Sequence, residues 1–275
     1  MSKSPGPIRR LLALSISVVS TGMLLLPLAG AGTEWFIIPG IALGIMILGA
    51  TIYFKEYLLI HLSLFFVLLF GWKHSPWWPD ELPTGLLIPF FSYLLLAFSI
   101  PSLRKSIPWL HRGLVGGRPL YAGLLIILVS LPALWAWTVY SENVIEYYVY
   151  LFHPRILYIE LVIFALLFAA INSVTQEVIF RGVYQNALDE ALSNERYAIV
   201  VQAIIFGLIH NVGVPSGPAG IGMAFIYGCM LGILKSMSCG LLLPVAVHFV
   251  TDLFIFFLAF YKAWLLGLLD RFPLL

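Results

Sequence analysis

The chain has 275 residues, of which 61% are hydrophobic and only 10% charged, with a mean hydropathy of +0.99. A water-soluble domain carries charge on about a quarter of its residues, so this composition describes an integral membrane protein. A formal net charge of +2, with no basic run interleaved with aromatics, excludes a nucleic-acid partner.

About 20 apolar residues cross a bilayer, and by that measure spans fall near 10–30, 35–54, 57–72, 85–101, 119–140, 156–190, 197–212, 217–235 and 240–262. The expected fold is all-α, a polytopic membrane bundle of about eight to nine transmembrane helices. Pro27, Pro39, Pro89, Pro132 and Pro244 interrupt several spans, which is tolerated where neighbouring helices satisfy the freed backbone groups. The first span, behind Lys3, Arg9 and Arg10, reads as a retained anchor because its apolar run is long for a signal peptide. Those cations place the N-terminus in the cytoplasm, and the 102–118 connection, with Arg104, Lys105, Arg112 and Arg118, falls on the same side. The following connection, 141–155, holds Glu142 and Glu146 instead. Trp72, Trp77, Trp78, Trp109, Trp135 and Trp137 lie near span ends, as interfacial aromatics do. The expected location is a prokaryotic cell membrane.

Residues 1–155 carry no motif, and the chemistry-bearing residues concentrate in 156–262, within one membrane domain overall. From Ile156 to Ala170 the chain is almost wholly apolar, and then Asn172, Gln176, Glu177, Arg181, Gln185 and Asp189 follow. Positions 177, 181 and 185 recur every four residues, so they share a helix face, and Glu177 and Arg181 can pair. Intramembrane carboxylates and guanidinium groups cost a few kcal/mol each on insertion scales and point to function. With a turn at 193–195, Glu177 and His210 lie about equally far along two antiparallel helices, roughly 24 Å from the turn, and so reach a similar depth. On the last span His248 and Asp252 are again four apart and share a face. Gly228 and Gly232 allow close helix approach, the stretch from Gly213 to Gly222 reads as a plain connection, and Cys229 and Cys239 read as reduced packing residues. His61, His74, His111 and His153 are each expected to be interfacial or hydrogen-bonded.

The Glu-x-x-x-Arg-Gly block at Glu177, Arg181 and Gly182, the Phe-x-x-x-His block at Phe206 and His210, and the His-x-x-x-Asp block at His248 and Asp252 resemble, in that order, the CAAX prenyl protease and bacteriocin-processing (CPBP, Abi) family. The resemblance covers roughly 156–262. It implies a glutamate-type intramembrane endopeptidase in which a glutamate and a histidine activate water while a histidine and an Asn or Asp stabilise the oxyanion. Carried across by position, Glu177 and His210 match the water-activating side, His248 and Asp252 the oxyanion side, and Arg181 orients the glutamate. The family usually shows two adjacent glutamates, and here Gln176 occupies the first place.

The expected function is therefore hydrolysis of a peptide bond near the membrane-embedded or lipidated end of a protein or peptide, with the bilayer as the other partner and no cofactor. Two alternatives stand beside it. One is an inactive family member acting as a scaffold or immunity factor. The other is a zinc protease with Glu177, His210 and His248 as ligands, a set that leaves a fourth position for water. Against zinc, no His-Glu-x-x-His helix is present and Arg181 beside the carboxylate disfavours a dication.

Overall fold

The structure is a computed structural model that describes residues 6–25, 34–73, 87–107, 109, 111–141, 158–211 and 214–265. Lys3, Pro27, His74, the Trp77–Trp78 pair, Glu142, Glu146, His153, Gly213 and most of the 141–155 connection lie outside these residues.

Every described element is helical. In chain order they are α1 (Pro7–Leu25), a short 3₁₀ turn (Glu34–Phe36) leading into α2 (Ile37–Tyr53), α3 (Tyr57–Lys73), α4 (Leu87–Ser99), α5 (Pro101–Lys105), α6 (Arg118–Tyr140) and α7 (Tyr158–Glu177). α7 runs through a π-helical segment (Val178–Gln185) into α8 (Asn186–Leu192), followed by α9 (Glu195–Ile209), α10 (Gly217–Ser238) and α11 (Leu242–Leu265). The fold is thus an all-α bundle, and over the described residues each expected span coincides with a helix. Among the described residues five segments are long and apolar enough to cross a membrane, Pro7–Leu25, Arg118–Tyr140, Val162–Leu192, Gly217–Ser238 and Leu242–Lys262, while Ile37–Tyr53, Tyr57–Trp72 and Leu87–Ser99 are shorter apolar helices. The protein is an integral, multi-pass membrane protein.

Two antiparallel packings set up the interior. α7 lies against α11, with Phe164 and Phe168 meeting Phe256 edge-on at ring separations of 5.9 and 5.3 Å. α9 lies against α10, where the expected close approach occurs. A Cβ on Gly228 would come within 3.2 Å of the Ala203 Cα, and one on Gly232 within 3.0 Å of the Gln202 amide. In a bilayer, where apolar contact alone does not favour one helix neighbour over another, small residues of this kind let backbones touch.

The N-terminal helices share one hydrophobic core with the second half. Leu12, Leu59, Phe65 and Tyr93 pack with Ile179, Phe180, Leu188 and Phe206. The connection after α5 adds a clasp: Leu241 N–H donates to His111 O at 3.0 Å and Leu114 N–H to Ser238 O at 2.7 Å. Trp109, expected at an interface, is half-buried. Its ring N–H donates to the Tyr93 hydroxyl at 3.2 Å, and its Cβ lies where a Gly182 Cβ would come within 2.5 Å. His61 is fully buried between the Tyr93 hydroxyl at 2.8 Å and the Leu103 carbonyl at 3.2 Å, and Cys229 and Cys239 are free thiols.

Candidate active site

The π-helical segment from Val178 to Gln185 is buried at every residue. Such widened turns inside α-helices occur frequently at functional sites. Here the segment starts directly after Glu177 and carries Arg181, both with no solvent exposure. The expected pairing forms: Arg181 Nη1 donates to Glu177 Oε1 at 2.8 Å. Arg181 Nη2 donates to the Gly228 carbonyl at 3.2 Å, and its guanidinium stacks 4.6 Å over the Phe206 ring. A buried guanidinium needs a counter-charge and acceptors, and this one has both together with an aromatic face.

The Gly228 carbonyl also accepts from Gln202 Nε2 at 2.9 Å, and the Gly232 carbonyl accepts from Gln185 Nε2 at 3.1 Å. The glycine pair therefore does more than admit a close neighbour. By removing Cβ atoms it opens two α10 carbonyls to side chains from the π segment and from α9.

α11 completes the cluster. His248 Nδ1 lies 2.7 Å from Glu177 Oε1, and His248 Nε2 lies 3.6 Å from Asp252 Oδ1. Because a carboxylate accepts, the proton between Glu177 and His248 belongs on Nδ1, which leaves Nε2 directed toward the Asp252 side. Asp252 Oδ2 accepts from Asn172 Nδ2 at 3.0 Å, and Asn172 Oδ1 accepts from Gln176 Nε2 at 2.9 Å. A continuous polar chain thus runs Gln176, Asn172, Asp252, His248, Glu177, Arg181. It leaves α7 at Gln176 and returns to it at the adjacent Glu177.

A cavity of about 230 Å³ opens beside this chain, between α6, α9, α10 and α11. Its polar lining includes His210, Tyr227, His248, Thr251, Asp252 and Ser130, and the rest of its wall is apolar. The Tyr227 hydroxyl and Thr251 Oγ1 bond at 2.5 Å, and Thr251 donates in turn to the Val247 carbonyl at 2.9 Å. Val214 and Pro215 also line the cavity, so the stretch expected as a plain connection borders the site.

The six residues singled out in the sequence fall into two sets. Glu177, Arg181, His248 and Asp252 form one connected cluster. Gln176 joins them through Asn172, a residue the sequence marked only as polar. His210 reaches the same cavity but does not meet Glu177 in the way equal depth suggested. Its Nδ1 bonds the Phe206 carbonyl at 2.8 Å and its ring packs on Phe206, centroids 4.7 Å apart. A carbonyl only accepts, so the His210 proton sits on Nδ1 and its Nε2 is the uncommitted nitrogen. Glu177, in turn, is not among the described residues lining the cavity, and its Oε2 has no hydrogen-bond partner among them.

Among the described residues no group of three or more His, Cys, Asp and Glu side chains is arranged to hold a metal ion. Glu177 Oε1 is shared between a guanidinium and an imidazole.

Residues 158–254 match the family model described as Type II CAAX prenyl endopeptidase Rce1-like. The match starts with α7, ends two residues past Asp252 and encloses Glu177, Arg181, His210, His248 and Asp252. The resemblance carried by the three sequence blocks is borne out over that segment, and the helices before α7 lie outside it. No curated protein and no solved structure matches the chain.

Proposed function

We propose that this protein is an intramembrane endopeptidase, hydrolysing a peptide bond near the membrane-embedded or lipidated end of a protein or peptide substrate. The observation that carries this reading is the buried Glu177–His248 contact, 2.7 Å long, with the imidazole forming part of the wall of a largely apolar cavity that also contains His210 and Asp252. The match to a peptidase family fits the same conclusion.

Hydrolysis of an amide needs a base for water, a donor for the developing oxyanion and an acid for the leaving nitrogen. The buried position of Glu177 suits it to act through His248. It fixes the imidazole's orientation and tautomer while Arg181 and Phe206 hold the carboxylate in place. His248, when protonated, donates from both nitrogens, one to Glu177 and one into the cavity. His210, tethered through Nδ1, offers Nε2 to water or substrate. Enclosure by α6, α9, α10 and α11 limits water at the site, which strengthens each fixed dipole there. No step in this scheme calls for a metal. The N-terminus and the basic 102–118 connection face the cytoplasm of a prokaryotic cell in this reading.

The test is cleavage by purified protein in nanodiscs of a peptide panel bearing farnesylated, transmembrane-helix or plain apolar C-terminal ends. Wild type cleaves at least one class, and Glu177→Gln, His210→Ala and His248→Ala each lose cleavage while remaining folded. Unchanged cleavage in all three variants, or none by wild type, removes the proposal and leaves a scaffold or immunity role.

A further inference from the structure

Asp252 is the one carboxylate among the described residues that line the cavity. Glu177 is shut off behind His248 with one oxygen shared between Arg181 and the imidazole. Asn172 Nδ2 donates to Asp252 Oδ2 at 3.0 Å, and His248 Nε2, 3.6 Å from Oδ1, carries a proton on that side when the imidazole is protonated. Asn172 turns its oxygen toward Asp252 only if Gln176 turns over with it, because Gln176 Nε2 donates to that oxygen at 2.9 Å. With Asp252 ionised, the amide chain runs from Gln176 through Asn172 to Asp252. It ends on a group that accepts. An ionised carboxylate open to the cavity can take a proton from water there, whereas a group serving an oxyanion must donate one.

We infer that Asp252 is the general base of the hydrolysis, with Asn172 and Gln176 as positioning residues that aim its carboxylate into the cavity. This rests on the endopeptidase reading and adds the identity of the base. Asp252 takes a proton from water as the water oxygen bonds to the scissile carbonyl carbon, and the carbonyl electron pair moves onto oxygen. His248, protonated on both nitrogens and steadied by Glu177 at Nδ1, donates its Nε2–H to that oxyanion. As the tetrahedral adduct collapses, the carbon–nitrogen bond breaks and the proton on Asp252 passes to the departing nitrogen. One water is consumed and the carboxylate is regenerated.

Asp252→Asn separates base from donor. The amide has nearly the same shape, can accept from Asn172 through its own oxygen and can donate to an oxyanion, but it cannot take a proton from water. The peptide panel in nanodiscs supplies the assay. General-base catalysis contributes about 10²–10⁴-fold, so D252N is expected to lose at least about 100-fold in kcat with KM little changed and an unfolding midpoint near wild type. Asp252→Glu, which keeps a carboxylate, retains more activity than D252N. Asn172→Leu, which frees Asp252 to rotate, lowers kcat while leaving KM in place. A D252N protein with wild-type kcat overturns the inference and leaves the endopeptidase reading standing. Absence of cleavage by wild type overturns both.

Discussion

The amide chain from Gln176 to Asp252 predicts a specific coupling between two residues that do not touch. A glutamate side chain only accepts in its charged form. Gln176→Glu therefore sets a carboxylate oxygen against Asn172 Oδ1, where an amide donor and that oxygen now meet at 2.9 Å. If Asn172 turns over to donate to the new carboxylate, its oxygen then faces Asp252 Oδ2, across a contact that is now 3.0 Å long. Either way one buried hydrogen bond becomes an acceptor–acceptor contact. Leaving a buried polar group unsatisfied costs about 1–3 kcal/mol. Adding Asp252→Asn reverses the whole chain consistently, because Asn172 then donates to the carboxylate at position 176 and accepts from the amide at position 252. D252N alone costs little, since its amide can present either end. The double variant is thus expected to be more stable than Q176E alone, with a coupling of about 1–3 kcal/mol between the sites. Apparent unfolding midpoints of the four proteins in one detergent measure this, at about 2–4 °C per kcal/mol on the scale of soluble domains of comparable size. Strict additivity, or a Q176E protein as stable as wild type, refutes a directional chain.

Further outcomes follow from the same contacts. Arg181→Ala leaves Glu177 buried without its guanidinium and should cost about 3–5 kcal/mol, seen as loss of folded protein, whereas Glu177→Gln keeps an acceptor for the guanidinium and costs less. Gly182→Ala drives a methyl group to 2.5 Å from the Trp109 Cβ. It should destabilise by about 1–3 kcal/mol in the same melting assay. Incubation with a strong chelator should leave cleavage unchanged. Loss on chelation, restored by added zinc, favours a metalloprotease.

The membrane helices were legible because a bilayer demands long apolar runs, and a run of about 20 such residues declares itself without any tertiary information. The polar row at 177, 181 and 185 and the pair at 248 and 252 were legible for a related reason: polarity at helical spacing inside apolar sequence has no cheap explanation. Which partners those residues choose was not. Equal distance from a turn paired Glu177 with His210, but depth along a helix does not fix the direction in which a side chain points. α11 presents His248 to Glu177, and the Phe206 carbonyl takes the His210 ring nitrogen. Asn172 carried a signal that was read only as polarity. It stands four residues before Gln176 and so shares its face, as the 177–181 pair does. Its link to Asp252 depends on the antiparallel register of α7 against α11, which local pattern does not encode. Trp109 likewise read as an interfacial aromatic, and only the tertiary path of the chain around it brings it against Gly182.

Peptide-bond hydrolysis at the Glu177–His248 site is tested most directly by isotope incorporation. Purified protein in nanodiscs, incubated with the peptide panel in H₂¹⁸O, is predicted to release a product whose new carboxyl terminus carries one heavy oxygen, and His248→Ala is predicted to release none. An intact panel with wild type, or equal labelled product from His248→Ala, would contradict the account.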